Sequence, residues 1–80
     1  MIIRTQDRTG IVNIAHVDTI CISDNKILYY NGSEESKGLL GTYSTREKAI
    51  KVLDRIEDAY SNEAFVDGVI IFRMPQDSEV

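Results

Sequence analysis

The stretch Ser44-Thr45-Arg46-Glu47-Lys48-Ala49-Ile50-Lys51-Val52-Leu53-Asp54-Arg55-Ile56-Glu57-Asp58-Ala59-Tyr60-Ser61-Asn62 reads as one amphipathic helix. Ser44 and Glu47 have the spacing of a capping box: the serine hydroxyl accepts the Glu47 amide and the glutamate reaches back. Ala49, Val52, Leu53, Ile56, Ala59 and Tyr60 recur at helical spacing and form one apolar stripe, with Glu47, Lys48, Lys51, Asp54, Arg55, Glu57 and Asp58 on the other side. The helix is expected from about 45 to about 61, ending near Asn62.

Short strand-like runs flank it. Ile2-Ile3-Arg4 is followed by the polar loop Gln6 to Gly10, then Ile11 to Ile14. Thr19-Ile20-Cys21-Ile22-Ser23 alternates strictly, and Asp24-Asn25 reads as a two-residue hairpin turn returning through Lys26 to Tyr30. Asn31 to Ser36 is expected as a polar turn or loop, and Lys37 to Tyr43 as a strand weakened by Gly38 and Gly41. After the helix, Asp67-Gly68 marks a turn and Val69 to Met74 a last strand. The expected fold class is α+β: a mostly antiparallel five- or six-stranded sheet with one helix packed on one face, in the order β-β-β-β-β-α-β. A strongly bent sheet approaching a small barrel plugged by the helix is the alternative. Residues 1–75 form a single domain, and 76–80 are expected to fray.

The bulk composition excludes several functions. Eighty residues with 42% apolar and 28% charged side chains make one small globular domain. One cysteine, Cys21, and one histidine, His16, cannot build a zinc site of the usual type. No apolar run is long enough to span a membrane, and the first residues turn polar too early for a signal peptide. A cytoplasmic, reducing setting is therefore expected, with no cofactor. A net charge of −4 argues against generic duplex DNA binding, although it leaves room for a local basic pocket. Ligand pockets usually occupy about 300–1,000 Å³, and a chain this short can hardly hollow one out and keep a core. A tight site would be shallow or shared between subunits. Apolar residues on both strand parities (Tyr29, Tyr30, Leu39, Leu40, Phe65, Phe72, Met74) and two open sheet edges favour a homo-oligomer.

Reactive groups are sparse. Cys21 sits among isoleucines, where an inert thiol is ordinary, and His16 marks a strand start or turn. Glu34-Glu35 and Glu57-Asp58 lie in polar settings that would not raise a carboxyl pKa. Gly38-Leu39-Leu40-Gly41 lacks the phosphate-loop pattern; the helix start at Ser44 to Arg46 offers amides to an anion unless its own cap fills them. An enzyme is not expected. The remaining candidate is a nucleotide grip, with guanidinium for phosphate and ring for base: Arg4, Arg8, Arg73 and Lys37 with Tyr29, Tyr30 and Tyr43. Arg4, Tyr43 and Arg73 are the chosen ligand contacts, on condition that the first and last strands are neighbours. The plainer reading is that these arginines pair with Asp7 or Asp67.

Ile2-Ile3-Arg4-Thr5-Gln6-Asp7, the run Leu40 to Ala49 leading into Val52-Leu53-Asp54-Arg55-Ile56, and the closing Phe72-Arg73-Met74-Pro75 resemble small proteins of Firmicutes phages and prophages. The resemblance implies a phage-type protein that acts by binding rather than turnover. It points to an anti-defence protein that sequesters a nucleotide immune signal of a system such as CBASS or Thoeris. The alternative is an inhibitor or adaptor that blocks a host protein, by a sheet edge or by the acidic helix face of Asp54, Glu57 and Asp58. It implies no catalytic residues.

Overall fold

A computed structural model describes the backbone of residues 1–80 and every side chain except those of Ser33, Glu34 and Glu35. The elements are β1 (Ile2–Arg4), β2 (Ile11–Asn13), β3 (Thr19–Ser23), β4 (Lys26–Asn31), β5 (Ser33–Thr42), α1 (Arg46–Asn62) and β6 (Ile71–Arg73). Three single 3-10 turns, Ile14–His16, Glu63–Phe65 and Asp77–Glu79, complete the chain. Five strands, one helix and one strand follow in the expected order. The strands do not form one sheet. They form two of three strands each, β2-β1-β6 and β3-β4-β5.

The split has a local cause. β2 does not run on into β3, because the Asn13 side chain accepts the Ala15 amide and starts a 3-10 turn through His16. The second sheet is an antiparallel meander. In the first, β1 pairs antiparallel with β2 but parallel with β6, with Ile3 opposite both Val12 and Phe72. The parallel pairing is possible because β5 and α1 intervene and supply a long crossover.

A bulge in β5 joins the two sheets. Ile27 pairs with Gly41 and Leu28 with Leu39, so Leu40 is the extra residue and turns into the core at 1% exposure. Its carbonyl is then free to accept the Gln6 amide (2.9 Å). Gln6 Oε1 accepts the Thr42 amide (2.8 Å), Gln6 Nε2 donates to the Pro75 carbonyl (3.3 Å), and the Gln6 carbonyl accepts Gln76 Nε2 (2.7 Å). One residue therefore bonds the first sheet, the second sheet and the C-terminal segment. Gly38 is needed where it stands, because a Cβ there would meet the Tyr29 ring at 2.4 Å.

The core gathers Ile3 from one sheet, Ile27 and Leu40 from the other, Ala49, Val52 and Ile56 from α1, and Met1, Tyr43 and Met74 from the connections. The predicted helical stripe is found, although Tyr60 at its end is 58% exposed. The cap differs by one residue. Thr45, not Ser44, caps α1 by accepting the Lys48 amide (3.1 Å), because the Ser44 amide donates to Asp77 Oδ1 (2.7 Å). The hairpin at Asp24-Asn25 forms as expected, with only Asp24 at positive φ; the Asn25 side chain donates to the Tyr43 carbonyl.

Residues 76–80, expected to fray, are docked. Asp77 also meets Lys48 Nζ (3.5 Å), Glu79 accepts the Gln76 amide (2.7 Å), and Val80 packs on the core. The expected loop over residues 31–36 gives way to β5 from Ser33. The Glu34-Glu35 side-chain pair lies outside the described residues.

Two measurements test this arrangement. Gln6→Ala removes two side-chain hydrogen bonds across the seam and is expected to cost about 1–3 kcal/mol, read from urea unfolding. Gln6→Glu keeps an acceptor for Thr42 but sets a carboxylate against the Pro75 carbonyl, and is expected to be at least as damaging. A loss below about 0.5 kcal/mol for both would refute the seam's role. The Asp77 carboxyl is held below the usual range, first by the Ser44 amide and also by Lys48. A depressed folded-state pKa gives stability that is present above the unfolded value and lost as pH falls through the folded one. Asp77→Asn should therefore lower stability at neutral pH and flatten its decline below about pH 4. An unchanged acid limb would contradict this.

Candidate functional site

The parallel pairing of β1 with β6 puts Arg4 directly beside Arg73. Strand alternation sends Ile3 and Phe72 inward and both arginines outward, where both are exposed. Beyond Arg4 the chain folds into a tight loop around Asp7. The Asp7 carboxylate accepts the Thr5 hydroxyl (2.7 Å), the Thr9 amide (3.0 Å) and the Thr9 hydroxyl (2.8 Å). Those bonds, the Thr9 amide foremost, hold its pKa below the usual carboxylate range. The loop closes through Thr5 N–H to the Gly10 carbonyl (3.0 Å) and Arg8 N–H to the Thr5 carbonyl (2.9 Å), with Arg8 in the left-handed region at φ 65°. Arg4 Nη2 donates to the Arg8 carbonyl (3.0 Å) and ties the loop to the strand.

The result is a cleft of about 310 Å³ at the ends of β1 and β6, lined by Arg4, Thr5, Arg8, Arg73, Met74, Pro75 and Glu79. A second depression of about 240 Å³ adjoins it and shares Arg4 and Arg8, with Thr9, Gly10 and Ile11 forming the rest of its wall. Ile11 stands opposite Arg4 in the ladder and is 66% exposed. Three guanidiniums thus face one carboxylate, and that one, Glu79, already accepts the Gln76 amide. Among the described residues no carboxylate lies within ion-pair distance of Arg4, Arg8 or Arg73. Of the partners the plainer reading gave them, Asp7 is consumed by its own loop and Asp67 forms no ion pair with them. Guanidiniums without carboxylate partners at one cleft suit a phosphate or carboxylate ligand, which they bind bidentately.

The structure brings together two of the three chosen contacts. Tyr43 is placed elsewhere: it is 1% exposed, and its hydroxyl donates to the Pro75 carbonyl (2.9 Å). Burial pushes its pKa up to about 12. It braces a residue of the cleft wall from behind and offers no ring face to a ligand. Tyr29 lies over Gly38, and Lys37 is on the other sheet opposite Tyr30. Of the residues expected to form a nucleotide grip, Arg4, Arg8 and Arg73 therefore share one cleft and the three tyrosines and Lys37 do not; exposed Ile11 and Ile71 lie on the same sheet face as Arg4 and Arg73.

The other candidates fall in ordinary places. His16 ends an exposed 3-10 turn, Cys21 is half-buried in β3, and no hydrogen bond joins them among the described residues. At the start of α1 the Ser44 amide is taken by Asp77 and the Lys48 amide by Thr45, so that end already holds one of the protein's own carboxylates. Glu57 and Asp58 are exposed on α1. Among the described residues no group of His, Cys, Asp and Glu is placed to hold a metal ion, and no helix is long and apolar enough to cross a membrane.

The polar loop and Arg8 are read from the sequence; what that reading missed is that Asp7 is bonded inside the loop and so does not pair with the arginines. The signal of that bonding is the spacing Thr5-x-Asp7-x-Thr9, a carboxylate flanked two residues away on each side by hydroxyl donors. No family model, no curated protein and no solved structure matches the chain.

Proposed function

We propose that this chain is a non-enzymatic binding module that holds a phosphate-bearing ligand, foremost a nucleotide, on Arg4, Arg73 and Arg8. The observation that carries the reading is the in-register Arg4–Arg73 pair on parallel strands, joined by Arg8, with no ion pair to a carboxylate among the described residues. The phosphate sits between the guanidiniums, and the attached nucleoside extends over Gly10 and Ile11 in the adjoining depression. The resemblance to small phage proteins makes sequestration of a nucleotide immune signal in the host cytoplasm the biological form of this reading.

Sequestration needs affinity near nanomolar, about −12 kcal/mol, and an open cleft on one chain exposes too much of its ligand for that. A homo-oligomer supplies the missing wall. The outer face of the first sheet carries Ile11 and Ile71 at 66% and 55% exposure beside the two arginines, and β6 is an edge strand. A second copy laid on this face buries the isoleucines and closes the cleft. Blocking of a host protein, the other expected mode, draws on a different part of the surface, the groove beside α1.

Calorimetry against mononucleotides, cyclic nucleotides and pyrophosphate tests the ligand. Arg4→Ala and Arg73→Ala should each weaken binding by about tenfold or more, roughly 1.4 kcal/mol. Arg4→Lys should lose most of the same amount, because an ammonium cannot make the bidentate contact. Lys37→Ala, on the other sheet, should change nothing. Absence of heat for every nucleotide would end the reading. Sedimentation tests the assembly: association at high micromolar concentration is expected for the wild type and lost in Ile71→Glu. A wild-type chain that stays monomeric removes the shared wall.

A further inference from the structure

Another concavity lies away from the arginines, between α1 and the start of β3, with a volume of about 430 Å³. Its floor is apolar, formed chiefly by Ile20, Leu53 and Ile56, and its rim carries Asp18, Glu57 and Tyr60. No lysine or arginine lines it. The one positive group nearby, the Met1 ammonium, is bound by Glu63. The Glu57 carboxylate has no hydrogen bond or ion pair among the described residues. Asp18 gives one oxygen to the Gly32 amide (2.7 Å) and keeps the other. Tyr60 is 58% exposed although it ends the apolar stripe of α1.

We propose that this groove docks a partner protein through an arginine or lysine side chain. Such a side chain is an alkyl stem ending in a cation, and the groove is an apolar floor ending in two carboxylates. The stem lies over Ile20, Leu53 and Ile56; the head sits between Asp18 and Glu57, with the Tyr60 ring available for a cation–π contact. Charge complementarity selects a basic partner and excludes an acidic or neutral one. A protein side chain fits better than a small cation because the apolar floor of Ile20, Leu53 and Ile56 needs an alkyl stem to cover it; the selection for a cation is made in the groove itself, since α1 beyond it carries both signs, Asp54 and Asp58 with Lys51 and Arg55. The site shares no lining residue with the arginine cleft, so it stands or falls separately from the proposed ligand function.

The test is an NMR titration of the full chain with acetyl-Leu-Arg-Leu-amide and with acetyl-Leu-Gln-Leu-amide. The arginine peptide should shift the methyl signals of Leu53 and Ile56 and the ring signals of Tyr60, and the glutamine peptide should bind at least about fivefold more weakly. Glu57→Gln, a change at an exposed helix position, should remove most of that difference without altering the unfolding midpoint. Equal binding of both peptides, no shift at these residues, or full retention in Glu57→Gln would each overturn the proposal. Groove signals that move on dilution of the protein alone would assign the groove to a second copy, and would overturn it as well.

Discussion

The structure turns on a seam that no continuous ladder could close. Two three-stranded sheets meet where β5 bulges at Leu40, and the bulge leaves backbone groups that need partners from outside the strand. Gln6 supplies them. Its amide and side-chain oxygen serve Leu40 and Thr42, while its side-chain nitrogen and carbonyl serve Pro75 and Gln76. A glutamine suits this place because it carries a donor and an acceptor on one planar group. An aliphatic side chain there would leave polar groups of two segments without bonds, and an acid would offer no donor to Pro75.

The same constraint shapes the arginine cleft. Pro75 lines it, and the Pro75 carbonyl is held from behind by both Gln6 and Tyr43. Met74 donates its amide to the Arg4 carbonyl (3.0 Å), so the wall is bonded to the strand that carries the arginine. Beyond it, Asp77 reaches the helix start and Val80 reaches the core. A tail free in solution would leave the cleft with one side. Docked, it gives the cleft that the exposed arginines line a fixed second wall.

Local patterns made the elements legible, and long-range pairing decided the rest. The helix showed itself because Ala49, Val52 and Ile56 repeat at the right spacing, and the β3–β4 hairpin because alternation flanks Asp24-Asn25. The division into two sheets was not legible, since a parallel β1–β6 pair involves residues some seventy positions apart. Ser44 has every local feature of a cap. It loses the role to Thr45 because Asp77, thirty-three residues on, claims its amide. The burial of Tyr43 was hidden for a related reason: a tyrosine before a helix looks the same in sequence whether its hydroxyl faces solvent or the Pro75 carbonyl. Arg4 and Arg73 were legible only as a conditional pair, and the register met the condition.

Charge is distributed in a way that composition conceals. The chain is acidic at −4, yet three of its arginines gather at one cleft, and the groove beside α1 is rimmed by Asp18 and Glu57 with no lysine or arginine in its lining. Segregation of this kind opposes stability slightly, because like charges are brought together and opposite ones kept apart. A surface shaped by stability alone would mix the signs. The Asp7 loop makes the point locally: a carboxylate two residues from Thr5 and Thr9 is bonded into its own loop, and the neighbouring Arg8 has no ion pair among the described residues. The electrostatic cost of keeping it bare is small per residue and falls at both concavities, which is where a chain with so little interior must meet anything it binds.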